Sequence, residues 1–421
     1  MKKALFLLLA LSCLAFLEPP KTDSFSQWRG PNRDGVYNET NLLKSWPEDG
    51  PPLLWSIDQV DAGYSSPAVT DDAIFVTGTK DTTDYITALD KQGNVLWRHA
   101  YGPAWDGDYP PARCTPTVKD GKVYVTSGQG TLACFVAESG KKLWSVNATE
   151  MFGGRQGIWG VAENLLIVDD NVIFTPGGEK TTMVAFNKGT GALAWQSPSL
   201  NDTTAYVSPI LVEHGGKKMI VNLLAHNIFG VDPDNGSILW SYRYSDVQRP
   251  MFHPAAPFIN CNTPLYKDGH IYVTSGYNHV GAMFKLADDA SSVAVAWTDT
   301  TLDTHIGGVV RVGDKIFGAN WINNRTGNWC SIDWKTGEKL YETTWNTKGS
   351  IIYADGMLYC YEERRGNVAL VDPSAEDFKV VSSFRITQGS GPHWSHPVIR
   401  NGVLYMRHGT ALMAYNVKQG S

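Results

Sequence analysis

One local pattern recurs along nearly the whole chain: a β-prone run, a two-residue turn built from Asp, Asn or Gly, and a second β-prone run. The turns fall at Asp71-Asp72, Asp120-Gly121, Asp169-Asp170, Gly215-Gly216, Asp268-Gly269, Gly313-Asp314, Asp355-Gly356 and Asn401-Gly402. Asp-Gly and Asn-Gly tolerate the positive φ angles that a two-residue hairpin demands, and the Val, Ile, Tyr and Thr beside them suit a half-buried pleated surface. Measured between second turn residues, the interval runs from 42 residues (Asp314 to Gly356) to 53 (Gly216 to Gly269). That length holds about four short strands with their loops, so each unit is predicted to be one four-stranded blade.

A second period, independent of the first, lies about 25 residues after most hairpins. "ALDKQGNVLW" ends at Trp97, "CFVAESGKKLW" at Trp144, "AFNKGTGALAW" at Trp195, "GVDPDNGSILW" at Trp240 and the looser "DDASSVAVAW" at Trp297. Each reads as a third strand, a polar turn and a fourth strand closing on Trp. Tyr341 takes that place in the sixth unit and Phe384 in the seventh. Aromatics at this outer position can wedge between neighbouring blades, each burying about 150–250 Å².

The eighth unit lacks its fourth strand, because after "HPVIRNGVLYMRHGTALMAYNV" the chain stops at Ser421. The missing strand stands at the other end, in "GPPLLWSI" with Trp55 in register. Joining the two ends in one blade closes the ring and leaves no open sheet edge. The predicted fold is therefore all-β: an eight-bladed β-propeller of four-stranded antiparallel blades, closed by the N-terminal strand. The predicted organisation is a leader over 1–20, an extension over 21–45 and one propeller over 46–418, with 46–57 as the closing strand.

A chain of 421 residues exceeds the usual single domain, but a repeat ring is one architecture and no Pro- or Ser-rich linker divides it. A net charge of −6 supplies no broad cationic face, so nucleic acid is not an expected partner. Met1, Lys2 and Lys3 followed by "ALFLLLALSCLAFL" read as a bacterial export signal, too short an apolar run for a mature transmembrane helix. The expected location is the periplasm or cell surface. Cys13 stands where a lipoprotein signal carries its acylated cysteine, although Ala10 and Leu11 fit that pattern poorly, and plain cleavage nearer Glu18 competes with it. A monomer without a transmembrane segment is expected.

Beyond Cys13, the cysteines are Cys114, Cys134, Cys261, Cys330 and Cys360, with no CxxC, no haem-attachment motif and no adjacent pair. Small buried thiols in strands are the expectation, and a bridge between Cys114 and Cys134 stays open.

The grammar of a hairpin followed by A-x-D-x-x-T/S-G-x-x-x-W, seen best in "ALDKQGNVLW", "AFNKGTGALAW" and "GVDPDNGSILW", resembles the pyrroloquinoline quinone-like propeller repeat over about residues 46–418. That superfamily includes quinoprotein alcohol dehydrogenases and also BamB-type outer-membrane assembly lipoproteins, which bind proteins without a cofactor. The opening "QWRGPNRDG", Gln27 to Gly35, resembles the start of many exported bacterial members.

For the enzymatic members the resemblance implies an axial funnel holding the quinone, with calcium on a Glu, an Asn and an Asp and a carboxylate acting as base. The residues entering the innermost strands here are Tyr64, Arg113, Trp159 with Glu163, Tyr206, Asn260 with Asn262, Asp303 with His305, and Trp394 with His396. Tyr64, Arg113, Trp159, Tyr206, His305, Trp394 and His396 are the candidate funnel residues, Glu163, Asn262 and Asp303 the candidate calcium ligands, and Asp303 the candidate base. The chain departs from the enzymes in having no Cys-Cys dipeptide, no haem motif and a compact length.

In "GPHWSHP", alternation sends Trp394 and His396 to one face and His393 to the other, which argues for a hydrogen-bonded histidine over a metal site. Two long connections, 100–114 with Trp105 and Tyr109 and the "MFHPAAPFINCN" stretch with Phe252, are expected to rim the funnel. No GxSxG elbow or phosphate-cradling loop stands before a helix. The expectation is a non-catalytic binding or scaffold module of the bacterial envelope, without a cofactor, engaging an envelope protein or a small-molecule or glycan ligand at its funnel. A quinone- and calcium-dependent alcohol or sugar dehydrogenase is the alternative, and a polysaccharide-binding or glycan-cleaving propeller the second.

Overall fold

The computed structural model describes residues 25–247 and 259–420. The leader, Cys13 and Phe252 lie outside them. Eight antiparallel sheets of four strands each form the ring, and one of these sheets gains a fifth, parallel strand. The first blade comprises Ala68–Val69, Ile74–Lys80, Thr83–Leu89 and Val95–Pro103. The eighth comprises Val398–Arg400, Val403–His408 and Ala411–Asn416, completed by Leu53–Ile57 from the other end of the chain. Trp55 pairs with Ala414 and Leu53 with Tyr415, which is the closure expected from the sequence.

Seven of the eight predicted turns are two-residue hairpins in the structure. At Asp120-Gly121, Asp268-Gly269, Asp355-Gly356 and Asn401-Gly402 both residues have positive φ, as a primed turn requires. The first turn differs. Its strands end at Val69 and resume at Ile74, and Thr70 N donates to Ala73 O at 3.0 Å across Asp71-Asp72 while the Thr70 hydroxyl, in place of its carbonyl, accepts from Ala73 N at 3.1 Å. Middle strands are buried on both faces, so Lys122–Thr126 shows no alternation, whereas the outer Val293–Asp299 alternates between half-buried and exposed residues. The apolar clusters straddle neighbouring blades: one joins Val221 and Trp240 to Ile271 and Phe284, another Phe317 and Trp329 to Leu358 and Ala369. Among the described residues one short α-helix, Ala148–Phe152, departs from the all-β expectation; Asn147 caps it by accepting from Glu150 N.

Four of the repeated Trp tie their blade to the next. Trp55, Trp97, Trp144 and Trp195 donate their indole N–H to the carbonyls of Lys91, Ala137, Lys188 and Pro233, at 2.8, 3.0, 3.0 and 2.9 Å. Each ring also covers a turn glycine of that following blade: Gly93, Gly140, Gly191 and Gly236.

The extension that precedes the closing strand occupies the axis. Ser26 pairs with Val118 on the innermost strand of the second blade, and Val36–Tyr37 runs parallel to Gly349–Ala354, the innermost strand of the seventh. Between these contacts residues 28–34 turn back on themselves, and the two arginines of "QWRGPNRDG" fasten the turn. Arg33 donates to the carbonyls of Asn164 at 2.9 Å, Pro209 at 3.0 Å and Leu165. Arg29 donates to those of Val309 at 2.5 Å and Ile351 at 3.2 Å, and lies 2.9 Å from His396 Nδ1. Both guanidiniums are almost fully buried, at 2 % and 1 % exposure for Arg29 and Arg33. Burial lowers Arg29 to about 10 and Arg33 to about 9. Six blades are thereby bonded to one strap that plugs the channel.

Candidate functional site

The innermost strands all begin at one end of the ring, and the loops that lead into them surround a blind cavity of about 270 Å³. Trp28 of the strap and His396 lie 5.3 Å apart, centroid to centroid, at its base. All seven candidate funnel residues line it: Tyr64, Arg113, Trp159, Tyr206, His305, Trp394 and His396. Loops that carry no repeat signature add Tyr109, Cys261, Tyr277, Trp321, Lys348 and Glu363. Sequence periodicity could not have found these, except that Tyr109 and Cys261 belong to the two connections expected to rim the funnel. Trp105 of the same connection packs instead against Gly128 and Gly160.

The rings form a nearly continuous wall. Tyr64 meets Trp394 at 4.9 Å, Trp394 meets Tyr109 at 5.2 Å, and Tyr109 meets Trp159 at 6.5 Å. Trp159 meets both Tyr206 at 5.4 Å and His305 at 6.1 Å, and Tyr277 joins His305 at 4.6 Å to Trp321 at 4.8 Å. The gap between Trp321 and Trp394 is filled by Lys348 and Glu363, an ion pair of 2.8 Å with side chains 6 % and 7 % exposed. Arg113 donates to the carbonyls of Trp159 and Tyr109 and forms no ion pair among the described residues. Burial drives His305 down to about 3 and His396 well below its usual range, so both are neutral. Cys261 is pushed up to about 12 by burial, which makes it an inert thiol.

The three candidate calcium ligands take other positions. Glu163 is buried and its Oε2 accepts from Thr175 N at 3.2 Å; Asp303 Oδ2 accepts from Asn278 N at 2.8 Å. Asn262 clamps two blades, donating to Thr304 O at 2.5 Å and His305 O at 3.0 Å and accepting from Gly308 N at 3.0 Å. None of the three lines the cavity. Burial raises Glu163 and Asp303 to about 8, and Glu163 Oε1 and Asp303 Oδ1 have no hydrogen-bond partner among the described residues. Asn260, beside them in sequence, donates to Leu224 O and Ala225 O.

The oxygen donors that line the cavity itself are few. Glu363 is the single carboxylate lining it and is already paired with Lys348. Asn164 Oδ1 is taken by Thr115 N, and Asn324 Oδ1 accepts from Trp321 at 3.2 Å. Calcium asks for about six to eight oxygen ligands. Among the described residues no group of three or more His, Cys, Asp or Glu is placed to hold a metal.

His393 points away from Trp394 and His396, as alternation implies. It stacks on His408 at 3.6 Å, with its Nδ1 2.5 Å from the Tyr361 hydroxyl. The five cysteines from Cys114 onward are all free thiols, so no bridge joins Cys114 to Cys134.

The strand-turn-strand-Trp repeat and the ring it closes have a counterpart in a known family. The model described as outer membrane protein assembly factor BamB matches residues 82–329. The chain belongs to the BamB family. Within the wider pyrroloquinoline quinone-like group, it is 28 % identical over 156 residues to the quinoprotein ethanol dehydrogenase of Pseudomonas aeruginosa, covering 34 % of this chain and 24 % of that protein. The BamB-family chain thus matches only about a quarter of that enzyme's length. Among solved structures it resembles BamB from Moraxella catarrhalis, with a TM-score of 0.62 and 15 % identity over 86 % of this chain and 99 % of that one. It also resembles quinohemoprotein alcohol dehydrogenase from Comamonas testosteroni, with a TM-score of 0.64 and 13 % identity over 93 % and 80 %. These likenesses establish the fold. Among the described residues no helix is long and apolar enough to cross a membrane.

Proposed function

We propose that this propeller is a non-catalytic binding module of the bacterial cell envelope, which receives a small ring-bearing ligand in its blind axial pocket. The observation that carries this reading is the make-up of the cavity: a wall of aromatic side chains with one carboxylate, held in an ion pair. Aromatic faces with a few convergent polar groups are the ordinary lining of a ligand pocket, whereas the quinoprotein chemistry needs oxygen ligands and a free base at the same place. Membership of the BamB family supports an envelope setting and a role in binding.

The competing reading, a quinone- and calcium-dependent dehydrogenase, draws on the curated relatives. Thermal unfolding of the purified protein separates the two. Adding pyrroloquinoline quinone with calcium is expected to leave the melting temperature unchanged, because a ligand stabilises only the state that binds it. A saturable rise of several degrees would replace the binding module with the dehydrogenase.

A further inference from the structure

We infer that the ligand of the axial pocket is an acidic sugar, a pyranose ring bearing a carboxylate. This rests on the binding-module reading and adds the chemistry of the occupant. Three observations carry it: the tilt of the rings, the fixed ion pair in the gap between them, and the uncompensated cation.

Neighbouring rings of the wall are tilted against one another and present both faces and edges to the cavity. Interplanar angles are 56° for Tyr64 and Trp394, 58° for Tyr109 and Trp394, 80° for Tyr109 and Trp159, and 42° for Tyr277 and Trp321. A pyranose is puckered and directs C–H bonds to both faces, which the electron-rich ring faces of a tilted box can meet from several directions.

The gap in the wall holds a donor and an acceptor side by side. Lys348 Nζ is 2.8 Å from Glu363 Oε1 and donates to Asn323 O at 2.8 Å, while the Trp394 side chain hydrogen-bonds to Glu363. These contacts fix both groups yet leave further acceptor capacity on the carboxylate. Adjacent hydroxyls of a sugar, each both donor and acceptor, match such a fixed pair.

The third observation is charge. Arg113, Lys348 and Glu363 are the charged groups lining the cavity, and both histidines there are neutral, so one positive charge is left over. Arg113 carries it, since its contacts are carbonyl oxygens alone. A partly desolvated cation without a counter-ion favours an anionic ligand and disfavours the quaternary ammonium groups that aromatic boxes otherwise attract. At about 270 Å³ the cavity lies just below the usual small-molecule range of about 300–1,000 Å³, suited to one ring and its substituents. Trp28 closes the base, so a glycan chain can enter only by its terminal residue.

The test is a titration of tryptophan fluorescence, backed by calorimetry, with glucuronate, galacturonate and mannuronate, against glucose and galactose as neutral counterparts. At least one uronate is expected to give a saturable change, with its neutral counterpart at least tenfold weaker. Arg113→Gln should abolish that preference while leaving the neutral sugar's weak binding as it was. Tyr109→Ala, on the exposed rim, should weaken the uronate several-fold with an unchanged melting temperature, which keeps the test valid if Arg113→Gln fails to fold. A uronate-specific oligosaccharide binding more tightly than the free sugar would identify a glycan terminus as the source, and equal binding would identify the free sugar. The inference is overturned if all three uronates fail, or if neutral sugars bind equally well. Failure of the uronates together with stabilisation by pyrroloquinoline quinone and calcium overturns the binding-module reading too; failure without it overturns only the sugar.

Discussion

Glu163 shows how the surroundings of a candidate ligand set its charge. Its carboxyl lies behind the cavity wall with Arg33 of the strap nearby, and burial outweighs that cation in raising it from 4.5 to about 8. In the unfolded chain the group ionises near its ordinary value, so between about pH 4.5 and 8 the native state holds a proton that the unfolded state has released. The stability it contributes is therefore fully present below pH 4.5 and is lost as pH rises through about 8, with a slope of at most about 1.4 kcal/mol per pH unit. Urea unfolding at several pH values between 5 and 8 should show the wild type losing stability relative to Glu163→Gln as pH rises. Asp303 shifts in the same direction but is present in both proteins, so it cancels from the difference. Parallel curves would mean that the carboxylate is solvated or paired more strongly than its burial implies.

At the scale of one blade, the coupling unit is a Trp and the turn glycine of the blade that follows. Gly236 has φ +79° and an added Cβ would stand 2.5 Å from the Trp195 ring, whereas Gly121, at φ +69°, has open space where its Cβ would be. Gly236→Ala is expected to cost about 2–4 kcal/mol, from a strained backbone and a displaced indole together, and Gly121→Asn less than about 1 kcal/mol. Chemical denaturation of the two variants checks this, and equal losses would show that the indole moves aside freely. The blade was legible in the sequence because its rules are local: turn residues with positive φ, strands of matching length, and a Trp at fixed spacing from a Gly. The funnel candidates were legible for a related reason, since the segment leading into an innermost strand runs beside the axis and some of its side chains reach the cavity. The rest of the cavity was not. Trp28 arrives from a strap nearly four hundred residues away in sequence from His396, and Tyr277, Trp321, Lys348 and Glu363 sit on loops of differing length without a repeated position. Glu163, Asn262 and Asp303 have the residue types of a calcium trio, but composition cannot say which way a side chain turns: Asn262 and Asp303 bond across the seam between the fifth and sixth blades, and Glu163 within its own.

The whole ring depends on two devices supplied by residues 25–57, the closing strand and the axial strap. Without the strand, Ala411–Asn416 becomes an open edge at the rim of an eighth blade of three strands; without the strap, the carbonyls bonded by Arg29 and Arg33 lose their donors in the interior. An open edge invites pairing with another chain, and unsatisfied buried carbonyls cost about 1–3 kcal/mol each. A chain begun at Asp58 is therefore expected to run as a mixture of oligomers on gel filtration and to melt over a broad range, since its terminal blades no longer hold each other. Supplying residues 25–57 as a separate peptide should restore a single species and a sharp transition, because the peptide carries every group that the two devices use. The same peptide with Arg29→Ala and Arg33→Ala keeps the closing strand but lacks the bolts, and should restore the elution while leaving the melt lower. A truncated chain that stays a single species with a sharp melt would show that the blades hold the circle by their seams alone, and that strand and strap serve only to seal the pocket.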